Sequence, residues 1–136
     1  MVRYVLDSSA ILRYLDDEAG AARVAEIIKS HLAGGCEAVV SAVHWGEVAG
    51  ITCKLHGRPA MDMVLSRLSA FGLPIIAADA DRAVRSSLIK LKRDIPYVDA
   101  FGVELASGSR DHIFVTADFD FKPARRDATI EFLPRT

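Results

Sequence analysis

The chain opens on a short apolar run. Val2, Tyr4, Val5 and Leu6 are rich in strand-forming types and too few for a helix, so the pattern predicts a buried β-strand. It stops at Asp7. After Ser8 and Ser9, the apolar positions Ala10, Ile11, Leu12, Tyr14 and Leu15 follow at helical spacing until Asp16, Asp17, Glu18 and Gly20 interrupt them. A second helical series runs through Ala22, Val24, Ala25, Ile27, Ile28 and Leu32, and Gly34 and Gly35 end it. Ala38, Val39 and Val40 predict a second strand, with Ser41 placed to cap a helix from about Val43 to His56 that closes at Gly57.

Pro59 suits the first turn of the next helix, whose apolar side is Met63, Val64, Leu65, Leu68 and Phe71. Pro74, Ile75 and Ile76 predict a third strand, at a sheet edge because proline cannot donate to a ladder. Asp79 or Asp81 starts a helix carrying Arg82, Arg85, Lys90, Lys92 and Arg93, and Pro96 separates it from a shorter one over Val98 to Ala106. His112 to Thr116 is the clearest later strand, and Thr129 to Leu133 predicts a last one. Strands alternating with helices imply a three-layer α/β/α fold with a mainly parallel central sheet. With 136 residues and no repeat or linker, one domain spanning 1–136 is expected.

Composition narrows the function classes. A net charge of −1 gives no global attraction for polyanions, so nucleic-acid binding would need a local basic patch or a bridging cation. Two cysteines, Cys36 and Cys53, do not make a disulfide framework and suit a reducing, cytoplasmic setting. No apolar stretch resembles a signal peptide or a membrane span. No glycine-rich phosphate loop follows the first strand, which argues against nucleotide-cofactor enzymes.

The acids carry the chemistry. Asp7 ends the first strand, Glu47 lies in the first turns of the helix after the second, Asp99 opens a helix, and Asp118 follows HIFVT with Asp120 two residues on. In a parallel sheet, strand carboxyl ends and helix N-termini share one edge, so these acids can meet there. Asp99, Asp118 and Glu47 each also have a plain structural role available, as an N-cap, a turn residue and a solvated charge, whereas a carboxylate after a buried strand, as Asp7 is, has few. Two carboxylates about 4 Å apart repel by roughly 4 kcal/mol at an effective dielectric near 20, so a shared pocket would bind protons or recruit a cation. An all-oxygen set favours Mg²⁺ or Mn²⁺, and a water polarised beside a phosphodiester is the arrangement for metal-assisted hydrolysis.

The stretches VLDSSAIL, SAVHWGEV, VDAFGVELA and FVTADFDF, in that order, resemble a PIN domain, and more narrowly the VapC-type ribonuclease toxins of toxin–antitoxin modules. The resemblance spans Val2 to about Phe121. It implies a Mg²⁺- or Mn²⁺-dependent endoribonuclease with Asp7, Glu47, Asp99 and Asp118 as its metal-holding acids. Asp7 and Asp99 would be the main ligands. Ser8 and Thr116 match the hydroxyl residues flanking the first and last acids, and Asp120 could replace or assist Asp118. An RNA substrate, a cognate antitoxin and a homodimer are likewise implied. Gly102 departs from the family's pattern, where alanine is common.

Competing signals are weaker. His44, Cys53 and His56 share a helix with Glu47, but a structural zinc site needs paired ligands from another segment, so these read as polar edge residues. Arg82, Arg85, Lys90, Lys92 and Arg93 read as a solvated face, which leaves Lys122, Arg125 and Arg126 as the better RNA contacts. A phosphoryl-accepting receiver domain would need an Asp directly after the second or third strand, where none stands. A non-catalytic RNA-binding protein of the same fold is the remaining alternative.

Overall fold

The runs Arg3–Leu6 (β1), Glu37–Ser41 (β2), Ile75–Ile76 (β3), His112–Thr116 (β4) and Thr129–Phe132 (β5) form one sheet in a computed structural model that describes residues 1–136. The order is β3-β2-β1-β4-β5, and every neighbouring pair is parallel. Between the strands lie α1 (Ser8–Leu15), α2 (Ala21–Leu32), α3 (Ala42–His56), α4 (Arg58–Ala70), α5 (Ala80–Arg93) and α6 (Tyr97–Ala106), with a 3₁₀ segment at Phe119–Arg126 before β5. The expected three-layer architecture is present. The proline argument for β3 also holds: β3 is an edge strand, and the Pro74 carbonyl accepts the Val40 N–H at 3.1 Å.

Strand alternation builds two cores. Leu6, Ala38, Val40 and Val115 face one side, where Ile11, Val24, Ile27, Val48 and Leu68 of α1 to α4 cover them. Their neighbours Val5, Val39 and Phe114 face the other, against Ala100, Val103, Ala106 and Phe121. Both faces are covered, so the central strands are apolar at successive positions instead of alternating with polar ones. Gly102 explains itself here. A Cβ on it would lie 2.2 Å from Phe114 Cε1 and 2.9 Å from His44 Cε1, so α6 approaches β4 and α3 more closely than any side chain would permit. α3 runs unbroken through Gly46 and Gly50.

Helix starts follow local chemistry. Ser41 caps α3 by accepting from Val43 N–H, and Asp79 caps α5 by accepting from Arg82 N–H at 2.9 Å, which assigns that start to Asp79 over Asp81. The basic face of α5 needs correction. Arg82 donates to both oxygens of buried Glu104 at 2.7 and 2.9 Å, Arg85 adds a bond at 3.2 Å, and Arg93 pairs with Asp127 at 2.6 Å. These three arginines fasten α5 to α6 and to the 3₁₀ segment's end. The side open to solvent instead carries Val84, Leu88 and Leu91 at i, i+4 and i+7.

Candidate active site

The chain builds outward from β1 to β2 and β3, then returns to place β4 on the other side of β1. At such a reversal the connections leave in opposite directions and open a crevice at the strand carboxyl ends. Asp7 and Thr116 end the two strands that flank it. Asp7 is also the N-cap of α1: its Oδ1 accepts from Ala10 N–H at 2.9 Å and from the Ser9 hydroxyl at 2.7 Å. Its Oδ2 accepts from the Thr116 hydroxyl at 2.6 Å. The Ser9 oxygen in turn accepts from Ala117 N–H at 2.9 Å, and the Thr116 oxygen from Asp118 N–H at 3.0 Å. This network fixes Asp7 and stitches β1 to the end of β4.

Burial dominates the electrostatics of Asp7, which is only 4% exposed. It raises the carboxyl from 3.8 to about 6, against the lowering effect of the Thr116, Ser9 and Ala10 bonds and with a further push from Asp118. Asp99 sits in the first turn of α6, where Pro96, not Asp99, is the cap. Its carboxyl is also raised to about 6, first by burial and then by repulsion from Glu47, Asp118, Asp7 and Asp120. The five acids thus act on one another electrostatically although they come from the end of β1, α3, α6 and the turn after β4; ligand atoms of Glu47 and Asp99 approach within 4.8 Å, while Asp7 and Asp118 stand outside that closest group. Glu47 is held by the Ser8 hydroxyl at 2.8 Å, and Asp118 caps the 3₁₀ segment by accepting from Asp120 N–H at 2.9 Å.

Ser9 has a role not expected from the sequence, and His44 has a different setting from the one expected. Ser9 serves Asp7 directly, while Ser8 serves Glu47. His44 is no polar edge residue. It is 1% exposed, and its Nε2 stands 3.9 Å from Glu47 Oε1. Ligand atoms of His44, Glu47 and Asp99 all lie within 4.8 Å of one another. Burial pushes its imidazole down to about 4, so it is neutral at pH 7. The available signal was its position three residues before Glu47, which puts both on one helix face. Cys53 and His56 take no part in this group.

The donor set suits a hard divalent cation: carboxylate oxygens predominate, and two acids are held above their usual range by burial and mutual repulsion that a cation would relieve. Beside the acids, Lys122 and Arg125 lie on the 3₁₀ segment over the rings of Phe119 and Phe132, at 5.6 and 4.9 Å from the centroids.

The PIN domain family matches residues 4–126. The chain belongs to that family. No curated protein sequence matches it significantly. Among solved structures, it resembles a chain of VapBC2 from Rickettsia felis bound to a DNA fragment from the promoter, with a TM-score of 0.73 and 14% identity over 97% of this chain and 99% of that one. VapC20 of Mycobacterium tuberculosis, described as a toxin that cleaves the sarcin–ricin loop, matches with a TM-score of 0.65 and 16% identity, covering 96% of this chain and 99% of that one. FitAB bound to a DNA fragment matches with a TM-score of 0.69 and 18% identity, covering 95% and 94%. At these identities the likeness is one of fold.

Proposed function

We propose that residues 1–136 form a single nuclease domain, a Mg²⁺- or Mn²⁺-dependent endoribonuclease that acts in the cytoplasm as the toxin of a type II toxin–antitoxin pair. The observation that supports this reading is the crowding at Asp99: burial and the charges of Glu47, Asp118, Asp7 and Asp120 raise its carboxyl to about 6, and Glu47 offers a ligand atom within 4.8 Å of its own. On this reading the four acids hold the cation, which polarises water for attack on a phosphodiester and offsets the pocket's repulsion of RNA. Thr116, Ser9 and Ser8 orient the carboxylates, and Asp120 shapes the local field next to Asp118. Lys122, Arg125 and Arg126 would steady the RNA backbone at the rim.

The proposed protein partners would use other faces of the molecule. The described sarcin–ricin cleavage by VapC20 supports RNA as the substrate class, and the VapBC and FitAB complexes among the neighbours support an antitoxin. A groove of about 430 Å³, lined by Leu12, Leu15, Ile51, Leu55 and Val64 together with charged residues such as Arg13, Glu18 and Arg67, reaches Ser9 and would take an amphipathic antitoxin segment. The stripe Val84, Leu88 and Leu91 on α5 would form a homodimer face. No helix is long and apolar enough to cross a membrane.

Incubating the protein with a structured RNA in Mg²⁺ or Mn²⁺ tests the activity. Cleavage should vanish with EDTA and with Asp99→Asn. Undiminished cleavage by a clean Asp99→Asn preparation would sink the mechanism, and metal-bound protein that retains RNA without cutting it would favour the non-catalytic alternative. Mapping RNA 5′ ends after brief expression, with Asp7→Ala as control, would identify the target.

A further inference from the structure

Buried histidines in folded proteins normally find a partner for at least one ring nitrogen. His44 finds none. It is 1% exposed, and neither Nδ1 nor Nε2 has a hydrogen-bond partner. Its Nε2 faces Glu47 Oε1 at 3.9 Å, which is too long for a hydrogen bond. The separation falls inside the roughly 4.2 Å that two donors, each about 2.1 Å from a shared cation, can span. Asp99 contributes the third atom of the same group, within 4.8 Å of the others.

The surrounding structure makes room for this ring. α6 carries glycine at 102, in mid-helix, where a Cβ would stand 2.9 Å from His44 Cε1. Glycine inside a helix is unfavourable without a packing reason, and here the imidazole and Phe114 occupy the space a methyl would need. Two residues from different helices thus agree on one placement, with Cε1 against α6 and Nε2 toward the acids.

We propose that His44 is a metal ligand through Nε2, making this centre a mixed nitrogen–oxygen site that prefers Mn²⁺ to Mg²⁺. The inference rests on reading the acids as a cation site. Mg²⁺ takes oxygen ligands almost exclusively, whereas first-row transition ions accept an imidazole, Mn²⁺ the least avidly of them, so one histidine among carboxylates tilts the preference from Mg²⁺ toward Mn²⁺. Coordination uses the lone pair on Nε2 and leaves the ring proton on Nδ1.

Pulsed electron paramagnetic resonance of the Mn²⁺-loaded full chain, without RNA, tests it directly. Protein grown with ¹⁵N-histidine should show a histidine nitrogen coupled to Mn²⁺, and folded His44→Gln should lose that coupling. The variant's Mn²⁺ affinity should fall on the order of tenfold, while its Mg²⁺ affinity changes much less. Mn²⁺ bound without any histidine coupling would overturn the proposal and leave the acidic centre standing. A coupling that persists in His44→Gln would overturn it as well. No Mn²⁺ binding at all would overturn both the proposal and the cation site beneath it. Should His44→Gln fail to fold, the labelled wild-type spectrum decides alone.

Discussion

Asp99→Asn should make the metal-free protein more stable while abolishing cleavage. Asp99 is half-buried, and its carboxyl is raised from 3.8 to about 6 by burial and by four neighbouring acids. Below about pH 4 the carboxyl is protonated in both folded and unfolded chains, and it costs nothing. As pH rises from 4 to 6 the unfolded chain releases its proton while the folded one retains it, so wild-type stability falls across that window. Above 6 the full penalty is present, which would be about 3 kcal/mol for a fully buried group. Solvent screening at a half-exposed site reduces it to about 1–2 kcal/mol. Asparagine has nearly the same shape and no charge, so the variant should melt about 3–6 °C higher at pH 7.5 in EDTA, with a flatter profile between pH 4 and 6.

The assay is thermal unfolding of both proteins across pH in EDTA, repeated in saturating Mn²⁺. With metal the order should reverse, because a ligand present at a hundred times its Kd adds about 2.7 kcal/mol to the form that binds it. If Asp99→Asn is no more stable than wild type in EDTA at pH 7.5, and both fall equally steeply from pH 4 to 6, then the acids do not strain one another and the case for a cation weakens.

Three further outcomes follow from particular contacts. Thr116→Val removes the 2.6 Å bond that lowers the Asp7 carboxyl, so the acidic limb of a pH–rate profile should move to higher pH, with a stability loss of about 1–3 kcal/mol. Gly102→Ala gains about 1 kcal/mol of helix propensity but forces a methyl to within 2.2 Å of Phe114 Cε1. Overpacking of this kind costs about 1–3 kcal/mol, so a net rise in melting temperature would contradict the packing. Arg82→Met leaves the buried Glu104 carboxylate with Arg85 alone and should destabilise by about 3 kcal/mol in chemical denaturation, far more than a surface arginine would.

The strands, their parallel arrangement and the addresses of the acids were legible because apolar runs, caps and glycine stops are local signals. Asp7, Glu47, Asp99 and Asp118 could be picked out for the same reason, since each follows or opens an element. That they could share the sheet's carboxyl edge was also legible, but how closely each approaches was not, because that depends on which strand lies beside β1, a fact about pairing across 109 residues. His44 was misread for a related reason. Its burial involves α6, whose Gly102 lies against its ring, and sequence spacing on α3 alone cannot tell an inward imidazole from an edge one. The α5 arginines were misread because Glu104 sits in an otherwise apolar stretch of α6, so their partner did not stand out. The segment after Asp118, rich in charge and broken by Pro123, carried no helical periodicity and forms a 3₁₀ turn held by the Asp118 cap.

The Thr116–Asp7 bond links residues 109 apart, so Asp7 reaches its final setting only once β4 lies beside β1. Asp7 lies 109 residues ahead of its partner hydroxyl, and Asp118 follows just beyond that hydroxyl. A nascent chain extended only to Ser109 already carries Asp7, Glu47 and Asp99, but it lacks β4, so nothing holds β1 on that side and the crevice has one wall. Long-range strand pairing of this kind is slow compared with local helix formation. On the proposed reading, nuclease activity therefore depends on one long-range pairing, that of β4 with β1.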